Sequence, residues 1–554
     1  YADHHFLFHL LQIPFLWFFE PVTAAKVGAV VFATLAVFSC YWLILRFKIE
    51  YPLVWLLALL TCGTPFYYRM NMAKAPPLAI ICTILGIWML FEKRYVWLAP
   101  LMFVFVWAYS FFPILFVAAG IWTVIILWNE GRFEWKPLAF TTGGMIAGNI
   151  INPYFPRNLG LFFEHFSTKF VRPGETVPVG GEWYPYDSWM LLGACSIAFL
   201  AMLVGFVLFQ PSERKLEEKS TFFLVFATLL MVAIFQSKRY AEYFPPFAIL
   251  FAAFAWQAFA LRLRSVPQLP EDFQLDIAPY LDKPVETEED EKRDFWKTAF
   301  VGLLCVILLV VMFLNMRGIS FPERRIEYGG VVGEITGNDP PERYQKAMEW
   351  ALANIPEGER IFNTDWDDFP KIFFHDQKHN YVAGLDPKYL HSRNPELWKY
   401  FEEISTGKTQ EAAPIIRDKF GAKWVFSDNY HDDFYVKAME SGWFEKVYPS
   451  EEHEARAEEL RQAHQAAEEQ ENAKKSWIQK FFSREKTQVE RDADALREGR
   501  SFDAIILKMR DQKGDPPAEA KDDSGTANDD PEPDANDADF EDTEEPEKTN
   551  APNK

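Results

Sequence analysis

Three pairs of cations stand in otherwise apolar or aromatic sequence: Arg69 and Lys74 in YYRMNMAKAPP, Lys169 and Arg172 in FSTKFVRPGE, and Lys238 and Arg239 in QSKRYAEYFPP. Arginine offers a planar fork that grips two oxygens at once, and lysine a compact point charge. Such a set suits clamping the phosphate or pyrophosphate of a lipid carrier. The competing account of each pair is a long side chain snorkelling to water from a helix end, and three pairs on separate loops weaken it. Carboxylates lie near these stretches: Asp3 in YADHHFLFHLL, Glu182 in GGEWYPYDSW and Glu242 in KRYAEYF. A carboxylate so placed can take the proton of an acceptor hydroxyl, which makes Asp3 and Glu182 the catalytic candidates. His4, His5 and His9 follow Asp3 at spacings that match no metal signature. Trp183, Tyr184 and Tyr240 flank Glu182 and Glu242; aromatics there suit sugar stacking and equally suit an interfacial belt.

A second set of acids follows expected strands nearer the C-terminus: Asp365, Asp367 and Asp368, then Asp386, then Asp428, Asp432 and Asp433. Ligands of open parallel sheets bind at strand C-terminal ends, so Asp365, Asp367, Asp368 and Asp428 are candidates for an acceptor sugar or a divalent cation. Helix capping and turn formation are the plainer account, and no metal is firmly indicated. The sequence has no phosphate-binding glycine loop, no HExxH and no GxSxG, so it offers no soluble nucleotide chemistry.

The elements that must carry these residues are mostly apolar. Stretches near 24–46, 51–67, 77–92, 95–111, 113–129, 137–152, 188–210, 220–237, 244–262 and 296–315 are each close to the length needed to span a bilayer. One set of alternate loops holds Arg46/Lys48, Lys93/Arg94, Arg132/Lys136, Arg214/Lys215/Lys219 and Arg262/Arg264, and the positive-inside rule makes that side cytoplasmic. Residues 1–23, the loops at 68–76, 111–113, 153–187 and 238–243, and everything beyond Asn315 then face outside. The net charge of -21 is local: from Asp515 onward fifteen Asp/Glu face three Lys. No basic face for nucleic acid results. All five cysteines lie in apolar stretches, where they read as small fillers.

The chain divides into a transmembrane domain over 1–264, a Pro- and acid-rich cytoplasmic linker over 265–295, a last transmembrane helix over 296–315 and a small α/β domain over 316–450. A charged helical insertion over 451–499, a final strand over 500–510 and a disordered acidic tail over 511–554 complete it. In the α/β part, ERYQKAMEWALANI has helical periodicity with Tyr344, Met348, Ala351 and Leu352 on one face. GERIFNTDWDD, HNYVAGLDP, AKWVFSDN, WFEKVYPS and SFDAIILKM read as strands, and PELWKYFEEIS and AAPIIRDKF as helices between them, which predicts a mostly parallel sheet. EEHEARAEELRQAHQAAEEQ lacks an apolar stripe and reads as a solvated helix. KKSWIQKFFSR, within the insertion, suits a membrane interface or a packing patch.

The succession ADHHFLFHLLQIPF, YYRMNMAKAPP, GNIINPYFPRNL, SKRYAEYFPPF and FNTDWDDFPKIFF…NYVAGLDPKYL resembles bacterial membrane proteins of the GT-C glycosyltransferase superfamily, relatives of the dolichyl-phosphate-mannose protein mannosyltransferases and aminoarabinose transferases. The resemblance covers about 1–450 and 501–509. It implies a multi-helix membrane fold, a polyprenyl-phosphate-linked sugar donor, inverting transfer and an acid in the first external loop. It also implies that the first helix and much of that loop lie ahead of Tyr1, with the principal acid there. Arg69, Lys74, Lys238 and Arg239 take the donor-phosphate positions, with His4, His5, Lys169, Arg172, Trp183, Tyr184, Tyr240 and Glu242 as possible substrate contacts. The expected protein is a transferase of the bacterial inner membrane with its C-terminal domain periplasmic, acting on a glycan, lipid or protein acceptor. The alternative is a membrane scaffold whose periplasmic domain binds a protein partner. A transporter fits less well, because few charges fall within the spans.

Overall fold

Proline punctuates the membrane part. Pro21, Pro52, Pro65, Pro76, Pro113 and Pro137 each sit in the first turn of a helix, where the missing N–H costs nothing and the fixed φ suits the helix. The computed structural model describes residues 2–166, 180–209, 216–264, 288–316, 340, 342–384, 386–409, 411–474 and 488–514. The helices run α1 (Phe6–Gln12), α2 (Pro21–Arg46), α3 (Pro52–Leu60), α4 (Thr64–Asn71), α5 (Pro76–Phe91), α6 (Leu98–Ala108), α7 (Pro113–Glu130), α8 (Lys136–Ile150), α9 (Arg157–Phe166), α10 (Ser188–Leu208), α11 (Glu218–Ile234), α12 (Phe244–Arg264) and α13 (Glu288–Met316).

Among the described residues, four helices are long and apolar enough to cross a membrane: Pro21–Arg46, Pro113–Glu130, Phe244–Arg262 and Phe295–Met316. A fifth span results if Pro65–Asn71 and Pro76–Phe91, bent by 97°, count as one. The chain is that of a multi-pass membrane protein. The span count differs from the ten stretches expected, although a helix occupies each of them. Segment 51–67 shows why: α3 has only nine residues, a rise of about 14 Å against a hydrocarbon core of about 30 Å. The segment breaks after Leu60, and a separate helix starts behind Gly63 with Pro65 in its first turn. Helix α10 is kinked at Cys195.

One apolar core joins the bundle. Phe91 is its hub, with Trp122, Phe222, Phe223 and Phe254 packed around it at ring separations of 5.1–6.0 Å. Outward-facing Trp17, Phe18, Trp128 and Val207 remain exposed, and the apolar window of α13 is only 11% buried. Apolar surface on that scale requires a non-aqueous neighbour. Helix α13 is held through Leu308 against Val54 and Leu57 of α3, and Asn315 Nδ2 donates to Thr61 O at 2.9 Å.

The α/β domain carries strands β1 (Arg360–Asn363), β2 (Asn380–Tyr381), β3 (Trp424–Asp428), β4 (Phe444–Tyr448) and β5 (Ala504–Met509), ordered β2-β1-β3-β5-β4. The β1–β2 and β1–β3 pairs are parallel, and the β3–β5 and β4–β5 pairs antiparallel. The sheet is therefore mixed, not mostly parallel: the last strand enters beside β3 running the other way. Between β4 and β5 lie α20 (Glu451–Lys474) and α21 (Gln488–Glu498), numbered after α14 (Gln345–Asn354), α15 (Phe369–His375), α16 (Pro387–Arg393), α17 (Pro395–Ser405), α18 (Ala412–Phe420) and α19 (Asp432–Glu440). Tyr344, Met348 and Ala351 are buried as their spacing predicts, whereas Leu352 is turned outward. Beyond β5 the chain stays against the sheet to Gly514, whose N–H donates to Gly442 O at 2.9 Å. The linker over 265–287, KKSWIQKFFSR over most of its length and the acidic tail from 515 lie outside the described residues.

Candidate active site

The loop before α10 and the turn after α11 are zipped together. Ser237 Oγ donates to Glu182 O at 2.9 Å, and Lys238 N donates to Tyr184 O at 2.9 Å. The zipper delivers Glu182 and Arg239 to one point, and α4 brings Arg69 to it. Arg239 Nη1 lies 2.8 Å from Glu182 Oε1, Arg69 Nη1 lies 3.0 Å from Glu182 Oε2, and Arg69 Nε lies 2.8 Å from Glu242 Oε2. Lys74 Nζ stands 3.8 Å from Glu182 Oε2 with half its side chain exposed. The cluster is three cations on two carboxylates, drawn from three connections of the chain. Arg69 Nη2 and Glu242 Oε1 are buried with no hydrogen-bond partner among the described residues. Buried polar atoms in native proteins are nearly always satisfied by protein, water or ligand.

Burial raises the Glu182 carboxyl, but Arg239, Lys74 and Arg69 outweigh it and hold the group down at about 2. A carboxylate so clasped is a weak proton acceptor. Burial pushes the Glu242 carboxyl up, against the pull of Arg69 and Arg239. Trp183 supplies a ring face 4.5 Å from the Arg239 guanidinium carbon, and Lys238 Nζ sits 5.8 Å from the centre of the Tyr186 ring. The Tyr240 ring packs edge-on against Phe111 at 6.0 Å; the Tyr184 side chain is exposed.

Tyr109 links this cluster to the N-terminal acid. Arg239 Nη2 donates to Tyr109 Oη at 2.6 Å, and the Tyr109 ring lies 4.9 Å from the His5 ring. His5 N donates to Asp3 Oδ1 at 2.8 Å, and His9 Nδ1 meets Asp3 Oδ2 at 2.6 Å. Burial raises the Asp3 carboxyl, but the bonds from His9 and His5 prevail and hold it below its ordinary range. The His4 and His5 rings are 4.0 Å apart. Asp3 and His4 open onto a cavity of about 110 Å³ shared with Ser110, Asn149, Asn152 and Asn158. Lys169 and Arg172 lie outside the described residues. Sequence reasoning did not single out Tyr109 or the three asparagines. GNIINPYFPRNL did mark the segment that carries the asparagines, without a role for them.

A separate acidic group stands at the C-terminal ends of β1 and β3. Asp365, Asp368 and Asp428 each bring an oxygen within 4.8 Å of the others. Asp367, expected with them, is not in this group; its N–H donates to Asp365 Oδ1 at 2.8 Å. Asp386 caps α16 through Lys388 N, the role its position predicts. Asp368 occupies the cap position of α15 but makes no side-chain cap bond. Burial, then the charges of Asp428 and Asp365, push the Asp368 carboxyl up to about 7, against the bond from Tyr344.

No family model matches the chain, and no curated protein matches it. Among solved structures, it is similar to the archaeal oligosaccharyltransferase AglB from Archaeoglobus fulgidus in complex with an inhibitory peptide and a dolichol-phosphate, at 11% identity and a TM-score of 0.49. It is also similar to the Archaeoglobus fulgidus oligosaccharyltransferase tethered with an acceptor peptide containing the NVT sequon, at 12% identity and a TM-score of 0.45. Each match covers 80% of this chain and 64% of that one, so this chain spans less than two thirds of their length.

Proposed function

We propose that this chain is a membrane glycosyltransferase that moves a sugar from a polyprenyl-phosphate-linked donor to a glycan, lipid or protein acceptor. In this reading it belongs to a bacterial inner membrane and works at the periplasmic face beneath its C-terminal domain. The observation that carries the reading is the cation cluster. Arg69, Arg239 and Lys74 converge at one end of apolar helices, with an excess positive charge and the unpartnered Arg69 Nη2. A lipid-borne phosphate arriving from the bilayer meets that donor and the half-exposed Lys74 and Lys238. Glu182 serves as the orienting counter-ion that fixes the two guanidinium forks.

Transfer then follows. The acceptor hydroxyl oxygen forms a bond to the anomeric carbon, and its proton passes to the Asp3 carboxylate, steadied by His9. The carbon–oxygen bond to phosphate breaks, and its electron pair leaves with the phosphate, whose charge the cluster neutralises. Attack opposite the leaving group inverts the anomeric centre. The cavity beside Asp3, lined with asparagine amides, suits the acceptor.

The test is turnover by the purified full chain in nanodiscs, offered a panel of radiolabelled polyprenyl-phosphate sugars with membrane glycan, lipid and peptide acceptors. Label should leave the lipid. Asp3→Asn should slow its loss about 100-fold or more, and Lys74→Ala about tenfold with the fold intact. A wild-type chain that neither binds nor consumes any of these donors overturns the reading and favours a scaffold.

A further inference from the structure

The α/β domain holds a site that the transfer chemistry does not use. Asp365 follows β1, Asp368 opens α15, and Asp428 ends β3, so the parallel pair β1–β3 delivers three carboxylates to one spot. Each is oriented by a neighbour. Asp365 Oδ1 accepts from Asp367 N at 2.8 Å, and Asp428 Oδ1 accepts from Tyr430 N at 3.1 Å and meets His431 Nδ1 at 2.5 Å. Asp368 Oδ1 accepts from Tyr344 Oη at 2.8 Å, with Lys371 Nζ at 3.9 Å.

Asp368 supplies the independent observation. It is 4% exposed, and its Oδ2 is enclosed with no hydrogen-bond partner among the described residues. A carboxylate capping a helix would be satisfied by backbone N–H groups, and this one makes no such bond. Leaving a buried carboxylate oxygen unpaired is costly, and gathering two further carboxylates around it adds repulsion. A hard cation removes both costs together. Magnesium, manganese and calcium take carboxylate oxygens at about 2.0–2.6 Å, and oxygens no more than 4.8 Å apart can share one ion of that size. Asp365 is only half-buried, so the ion would keep an open side for water or a ligand.

We propose that Asp365, Asp368 and Asp428 together bind one hard divalent cation, tying the β1–α15 connection to the end of β3. The site is distinct from the cluster of Arg69, Glu182 and Arg239 and does not depend on the transferase reading. The experiment titrates the full-length protein, in detergent and stripped with EDTA, with MnCl2 alone. Free manganese is followed by electron paramagnetic resonance, with CaCl2 and MgCl2 as competitors. Wild type should show one saturable site per chain, displaced by one of the competitors. Asp365→Asn and Asp368→Asn should each weaken it about tenfold or more while keeping wild-type elution and circular dichroism; asparagine retains the acceptor for Tyr344. Glu182→Gln and Lys74→Ala should leave it unchanged. Absence of a saturable site in wild type overturns the proposal. So does binding that survives both aspartate variants, or binding that Glu182→Gln abolishes in their place.

Discussion

Glu182 is gripped by two arginines with a lysine behind them, and that grip has a pH signature. Its carboxyl falls from an ordinary 4.5 to about 2 on folding. Above 4.5 both folded and unfolded forms are ionised and the stabilisation is complete. As pH falls from 4.5 toward 2 the unfolded form takes up its proton first, so stability drains away, by on the order of 3 kcal/mol in total. Thermal unfolding in detergent between pH 5.5 and 3 should therefore show a steeper loss for wild type than for Glu182→Gln. Parallel profiles for the two proteins would mean the carboxylate is not held this way. At this scale much of the site was legible: Arg69, Lys74, Glu182, Arg239 and Glu242 stand out because a charge beside apolar sequence needs a reason. Tyr109 was not legible. One tyrosine among 21, in a chain with 52 phenylalanines, carries no local mark of the guanidinium that finds its hydroxyl from 130 residues away.

Helix α8 shows how small residues set an element in place. A Cβ on Gly144 would come within 2.2 Å of the Ala99 carbonyl oxygen on α6, and one on Gly148 within 3.0 Å of Val106 Cβ. The two glycines sit one turn apart and let the backbones approach, as small residues do between membrane helices. Gly144→Ala should cost about 1–3 kcal/mol through forced separation of α6 and α8, read as a lowered melting temperature in detergent. Gly143→Ala, with open space at its Cβ, should not. Helix positions were readable because apolar runs and prolines announce them. Where one run becomes two helices, as at Gly63, the apolar count alone does not say so, since Phe66 and Tyr67 continue it. The direction of β5 was hidden for another reason. It depends on how a long charged excursion through α20 and α21 returns the chain, and a strand pattern has no sense of direction.

Charged side chains gather at both ends of the bundle. At one end Arg46 pairs with Glu92 at 3.1 Å, Lys93 with Glu130 at 3.3 Å, and Asn129 binds Leu216 across α7 and α11. At the other end of α5, α7 and α11 lie Lys74, Tyr109 and Arg239. Phe162 of α9 stacks on Phe112 at 5.2 Å there, and Ser392 of the α/β domain donates to Glu164 on the same helix. The α/β domain thus touches the bundle through α9, at the end that carries the cation cluster. The most direct test is equilibrium binding of tritiated undecaprenyl phosphate to the full chain in nanodiscs, with Arg239→Lys alongside. The account predicts saturable binding to wild type, weakened about tenfold when the bidentate fork becomes a point charge. Equal binding by the two proteins, or none by wild type, would contradict it.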